Sequence, residues 1–410
     1  MVAHEGAIGY FEANFQPWDG TIGSCREELE AFYHACELGQ YGRAYVVLDR
    51  CFELLDLAGE YRSLLPMYER LTSEWNAVDD EEFKNLGWAW ARLGNLHQSV
   101  GNYPKAIDFH QQHNEIAREI GDRDGEGGSL CNLGHAYKSL DQYQCAIDFY
   151  LQALPIQREV GNIEFESRSL GGLGSVYKSL GQYQRAIDFY QQWNDIARKI
   201  GDRSGEAASL NSLGNAYQSL DQYQYAIDLL QQSIEIKREI GDRSGEAVSL
   251  SSLGIVHGSL SEYQRAIDLF QQSIEIKREI GDRDGEGGDL CNLGNLYQLL
   301  GQHQCAIDLY SQALMVQREV NNRRFEANSL LNMAFSLAKL DNHGQALLNL
   351  QQAKLIYEDL QLDHMVERCN ESLRECNQIK IKAMNRQTLW FGVWFCVGLA
   401  VVFLVWKLRN

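Results

Sequence analysis

The sequence predicts an all-α fold, a solenoid of antiparallel helix pairs followed by one C-terminal transmembrane helix. Three observations carry this reading: a constant internal period of forty residues, apolar residues at i, i+3 and i+4 within each period, and an uncharged apolar run near the end of the chain.

The period is read from fixed pairs. Leu-Gly recurs at Leu93-Gly94, Leu133-Gly134, Leu173-Gly174, Leu213-Gly214, Leu253-Gly254 and Leu293-Gly294, with Met333-Ala334 as a weakened seventh copy. Twelve residues after each glycine stands Ala106, Ala146, Ala186, Ala226, Ala266 or Ala306 within Ala-Ile-Asp, and then Ala346 without it. Within one unit, Leu210, Leu213, Gly214, Tyr217 and Leu220 trace one helical face, and Tyr223, Ala226, Ile227, Leu230 and Ile234 trace a second after a break near Asp221. Gly201 falls where a helix ends and Asp202 where the next is capped, so Gly-Asp-Arg marks the joint between units. A glycine inside a helix costs about 1 kcal/mol relative to alanine, so the Leu-Gly glycines need a compensating close contact. The alanine twelve residues later is the expected partner.

From the N-terminus, residues 1–23 form an irregular leader carrying Tyr10, Phe11, Phe15 and Trp18. Residues 24–81 read as a degenerate helical cap, in which Tyr41 and Ala44 keep the spacing of Tyr223 and Ala226 and Pro66 is expected to kink an amphipathic helix over Glu60 to Trp75 near its middle. Seven units occupy residues 82–360. A closing helix and linker fill 361–385, since the exposed end of a stack needs a cover. Residues 389–406 are eighteen uncharged positions with eleven Leu, Phe and Val, bounded by Trp390 and Trp406 and flanked by Lys380, Lys382, Arg386, Lys407 and Arg409. As a helix they span about 27 Å, close to the thickness of a bilayer core.

The set Leu210, Leu213, Gly214, Tyr217, Ala226, Leu230 and Ser233 resembles the tetratricopeptide repeat pattern, lengthened to forty residues. It departs from that pattern in three ways: Leu210 replaces the first-helix tryptophan, Ser233 replaces the third alanine, and the terminal proline is missing. With its Gly-Asp-Arg-x-Gly-Glu joints, the array looks like those of Pins-type scaffolds and of bacterial proteins with the same repeat length. The resemblance covers Glu82 to Leu360. It implies a right-handed superhelix whose first helices line a concave groove, where amides and hydroxyls bond the backbone of a bound protein or peptide segment. Asn95, Asn132, Asn211, Asn215, Asn292 and Asn295 occupy such first-helix positions, with Ser175, Ser212, Gln98, Gln218 and Gln298 nearby. Arg123, Arg203, Arg243 and Arg283 stand at the joints entering those helices and are candidates to meet carboxylates of a ligand.

Other chemistry is excluded by pattern. His110 and His113 fall at positions filled by Tyr150, Tyr190 and Leu230, and by Trp193 and Ser233, in other units, which makes them packing residues rather than metal ligands. Cys131 with Cys145, and Cys291 with Cys305, are offset by about 10 Å along paired helices and do not suit a bridge. The aspartates at 108, 148, 188, 228, 268 and 308 repeat in every unit, whereas a catalytic acid needs a unique environment. A net charge of -19 repels nucleic acid. Met1 to Ser24 lacks a basic stretch before an apolar core, so the repeat body is expected in the cytosol. The expectation is a non-enzymatic, membrane-tethered scaffold that binds protein or peptide segments, without cofactor or small-molecule substrate. The alternative is an architectural or self-associating assembly factor using the convex face.

Overall fold

The structure is a computed structural model that describes residues 26–57 and 61–379. The leader at 1–23 and the apolar run at 389–406 lie outside the described residues. Among the described residues, no helix is long and apolar enough to cross a membrane. Every element described is helical, and the chain falls into two compact units, Met1–Leu220 and Asp221–Asn410, each an all-helical repeat solenoid.

Unit 1 opens with α1 (Arg26–Glu37), α2 (Tyr41–Leu57) and α3 (Tyr61–Glu74), the last holding Pro66 in its interior. The pairs that follow are α4 (Asp80–Ser99) with α5 (Tyr103–Glu119), α6 (Arg123–Ser139) with α7 (Tyr143–Val160), and α8 (Ile163–Ser179) with α9 (Tyr183–Ile200). The unit ends on α10 (Arg203–Gln218). Unit 2 begins with α11 (Tyr223–Glu239) and continues through α12 (Arg243–Ser259) with α13 (Tyr263–Ile280) and α14 (Arg283–Leu299) with α15 (His303–Glu319). It finishes with α16 (Arg323–Lys339), α17 (His343–Asp359) and a closing helix over 363–379, α18. Cys369 and Cys376 of α18 bury against the α16–α17 core, which covers the last pair.

The helix ends follow from backbone chemistry. A residue with positive φ recurs every twenty positions, from Gly101, Gly121 and Asp141 to Asn321, Asp341 and Gln361. Glycine takes most of these sites and Asp or Asn several others, the residue types for which the left-handed region is least costly. At the joints the next residue caps the following helix: Asp202 Oδ1 accepts from Gly205 N–H at 2.9 Å and Asp242 Oδ1 from Gly245 N–H at 2.8 Å. A side chain at Gly205, Gly245 or Gly285 would strike the capping carboxylate, which explains the second glycine of Gly-Asp-Arg-x-Gly-Glu. At the start of α4, Asp79 Oδ1 accepts from Glu82 N–H at 2.9 Å, and Glu82 Oε2 reaches back to accept from Val78 N–H at 3.0 Å.

Packing within pairs differs from the sequence expectation in one respect. The Leu-Gly glycines at 94, 134, 174, 254 and 294 do make room for a neighbour, but the space is taken by an aromatic ring sixteen residues on, not by the alanine twelve on. A Cβ at Gly134 would stand 2.6 Å from Tyr150 Cε1, and one at Gly294 would stand 2.7 Å from Tyr310 Cε1. His110 fills the same slot against Gly94, and Phe270 fills it against Gly254. The alanines, Ala106 through Ala346, are fully buried in the core beside these rings.

Candidate functional site

In both units each first helix touches the first helices of neighbouring pairs, whereas second helices pack mainly on first helices. Within each unit the first helices therefore make a continuous layer, and the polar residues singled out in the sequence lie on these helices. In unit 2 this layer holds a cavity of about 330 Å³ whose lining includes Asn292, Asn295, Asn328, Asn332 and the Lys277–Asp289 pair. Asn292 is half-buried there. Asn295 Oδ1 accepts from the Tyr310 hydroxyl at 2.7 Å and from Asn332 Nδ2 at 3.0 Å, tying adjacent pairs together. Lys277 Nζ donates to Asp289 Oδ2 at 2.7 Å, with Ser251 Oγ and the Gly285 carbonyl completing its shell. Both members are almost fully buried, a cost offset only because every ammonium hydrogen has a partner.

In unit 1 the same layer holds two cavities. One, of about 440 Å³, is lined by Arg92, Asn95, Gln98, Arg168 and neighbouring polar residues; the other, of about 380 Å³, is lined by Ile163, Arg168, Trp193, Ile200 and Ala208 among others. Asn132 is buried and accepts from Arg168 Nη2 at 3.2 Å. Asn211 and Asn215 are half-buried on α10, where Asn211 Oδ1 is a buried acceptor left unmet. Of the six asparagines singled out in the sequence, Asn95 lines the larger unit 1 cavity and Asn292 and Asn295 line the unit 2 cavity, while Asn132, Asn211 and Asn215 line none of the three.

The joint arginines have work inside the chain. Arg243 Nη1 donates to Glu246 and its Nη2 to Glu279, while Arg238 from the preceding helix donates Nε to the other oxygen of Glu246 at 2.6 Å. Arg283 bonds Glu286 and Glu319, and Arg123 bonds Glu126 and Glu159, in the same manner. Arg203 bonds Glu206, which also accepts from Arg198. Glu126, Glu206, Glu246 and Glu286 are buried, whereas Glu159, Glu279 and Glu319 are exposed and each arginine is partly exposed, so two arginines on one buried glutamate form a clamp between successive pairs.

Sequence reading missed Arg92, Arg168, Asn328 and Asn332. Asn332 stands forty residues after Asn292 in the weakened seventh copy. Arg168 occupies a position held by Gly128, Ala208, Val248, Gly288 and Asn328 in other units, so its signal was a departure from the repeat rather than a match to it.

Beneath the unit 1 layer lies a set of buried rings. His110, His113 and His135 are held neutral chiefly by burial, which pushes them down to about 3, about 4 and about 3; Arg168 opposes protonation of His110 and His135 further. Both ring nitrogens of His110 lack a hydrogen-bond partner, as expected of a ring in an aromatic slot.

Fold and layer together define a helical-repeat protein with an amide-rich face. The chain belongs to the tetratricopeptide repeat family, whose profile matches residues 85–159, 165–239, 206–279 and 290–359, more than half of the sequence. No curated protein matches it. Among solved structures it is similar to the apo form of the quorum sensor NprR from B. thuringiensis, at 15% identity and a TM-score of 0.59, over 86% of this chain and 97% of that one. It is also similar to a signal transduction ATPase with numerous domains and a tetratricopeptide repeat sensor from Pyrococcus horikoshii. That match has 14% identity and a TM-score of 0.60, over 89% of this chain and 54% of the other. A third is a Rap protein complexed with competence and sporulation factor, at 14% identity and a TM-score of 0.52, over 83% of this chain and 99% of that one. At these identities the likeness is one of fold.

Proposed function

We propose that the protein is a non-enzymatic scaffold that captures segments of partner proteins on its first-helix layer and is tethered to a membrane through residues 389–406, its repeat body in the cytosol. The observation that carries the binding reading is the layer itself, where cavities of peptide side-chain size are walled by amides able both to donate and to accept. The Rap protein that shares the fold holds its factor, which supports reading such an array as a receptor. Tethering rests on the uncharged run with its terminal tryptophans. Each lost ligand bond costs about 1–3 kcal/mol, so the combined Asn95→Ala, Asn215→Ala and Asn292→Ala variant should lose partner capture while keeping its helicity. Undiminished capture by this variant, measured by affinity recovery from detergent-solubilised membranes with the full chain, would remove the first-helix layer as the binding face.

A second reading has its own observation. Met315 and Leu355, 73% and 61% exposed, stand on second helices where other pairs carry Glu235 and Glu275. This apolar replacement suits an architectural role through the second-helix face, in which copies or membrane partners pack there. Sedimentation of the full chain in detergent, with and without Met315→Glu and Leu355→Glu, separates the two readings.

A further inference from the structure

We propose that the first-helix layer of unit 1 selects partner segments in which a side-chain carboxylate stands beside a bulky apolar side chain, a ligand class that rests on the segment-binding reading above. The polar cavity is lined by Phe52, Arg92, Asn95, Gln98, Ser99, Tyr103, Ser139 and Arg168, two guanidiniums without one carboxylate, in a chain that carries 56 acidic residues against 37 basic ones. Both cations are held in place. Arg92 gives Nε to Asp49 at 3.0 Å and lies 4.3 Å from the centre of the Phe52 ring. Arg168 bonds the neutral amide of Asn132 and lies 4.9 Å from the centre of the Phe165 ring.

Arg168 differs from the joint arginines in its partners. Those clasp buried glutamates, whereas Arg168 has no carboxylate partner among the described residues. An ordered guanidinium whose charge the chain leaves unmet is suited to a carboxylate, which its fork engages in two parallel bonds. Arg168 also lines the second cavity, so one side chain joins the two. There Ile163, Trp193, Ile200 and Ala208 offer an apolar wall, and Ile163 and Ile200 are exposed enough to be covered by a ligand. Glu164 and Asp202 on the same lining disfavour a second acid at that end, which orients the ligand with its carboxylate toward Arg92. Arg92, Arg168 and Trp193 each stand where the other units carry small or neutral residues at most positions, so the site belongs to unit 1 and not to the repeat as such.

The test is selection of a random twelve-residue peptide library on the full-length protein in detergent micelles. The peptides are fused at their C-termini to a phage coat protein, so that only side-chain carboxylates are offered. Expected are peptides enriched in Asp or Glu near Leu, Ile, Phe or Trp. Arg168→Gln should weaken them by about tenfold or more, Arg168→Lys should restore part of the loss, and replacing the peptide's acid by its amide should abolish the Arg168 effect. Trp193→Ala should erase the apolar preference alone. Peptides without acidic enrichment, or binding indifferent to Arg168→Gln, would overturn this ligand class and leave segment binding standing. Failure to select any peptide would overturn both.

Discussion

At the scale of single residues, the glycine-to-ring contact decides what each unit tolerates. Gly134→Ala gains up to about 1 kcal/mol of helix propensity but drives a methyl group into the Tyr150 ring, so overpacking wins and a net loss of about 1–3 kcal/mol is expected in urea unfolding. Gly288 supplies the internal control, because a Cβ there meets nothing within 4 Å and Gly288→Ala should stabilise the chain slightly. The buried histidines give a second expectation. Their folded values of about 3 to 4 lie below the unfolded value of about 6.5, so the unfolded chain takes up protons first. Their contribution to stability is complete above pH 6.5 and is lost as pH falls from there toward 3 to 4. His110→Phe, which places at this slot the residue found at Phe270, should lessen the acid sensitivity of melting between pH 6.5 and 4 by one proton's worth; an unchanged difference from the parent protein across that range would refute it. Sequence periodicity placed glycine and histidine on buried faces correctly. It did not show which neighbour fills the space, because period sets the face of a helix and not the reach of the side chain opposite.

At the scale of helix and joint, stability passes through the glutamate clamps. Arg278 or Arg283 can be lost singly at about 1 kcal/mol or less, since each is half-exposed and Glu286 keeps the other. Removing both strands a buried carboxylate, so the Arg278→Ala, Arg283→Ala double variant should cost about 3–5 kcal/mol, well beyond the sum of the singles. A double-mutant cycle in urea measures this directly, and additivity would show the clamp to be incidental. The Lys277–Asp289 pair makes a related case. Where other units carry serine at the place of Asp289, Lys237 turns instead to the capping Asp242 at 2.5 Å. Asp289→Ser should therefore be tolerated far better than Asp289→Leu, with Lys277 turning to Asp282. Joint glycines and caps were legible from Gly-Asp-Arg because capping is local. The clamps were not, since Arg238 and Glu246 are eight residues apart across a turn and only the fold brings them together. The candidate site was legible by half: the asparagines were visible through their recurrence, while Arg168 and Trp193 were hidden by their uniqueness.

For the whole molecule, the fold class was readable because one period recurs with no insertion over seven copies. The membrane assignment rests on composition alone and has a direct test. Deleting residues 389–410 should release the protein from membranes under alkaline carbonate washing without unfolding the repeat body, and release of the intact chain under the same wash would remove the anchor. The left-handed residue at every twentieth position carries a further consequence. It leaves no slack in the chain between one turn and the next, so a single inserted residue would throw all later helices out of phase, whereas forty inserted residues would bring their own turns, caps and clamps. Such a chain grows or shrinks by whole strides, as a ruler is cut at its graduations, and the length of its repeat array changes in equal steps through duplication of an existing pair.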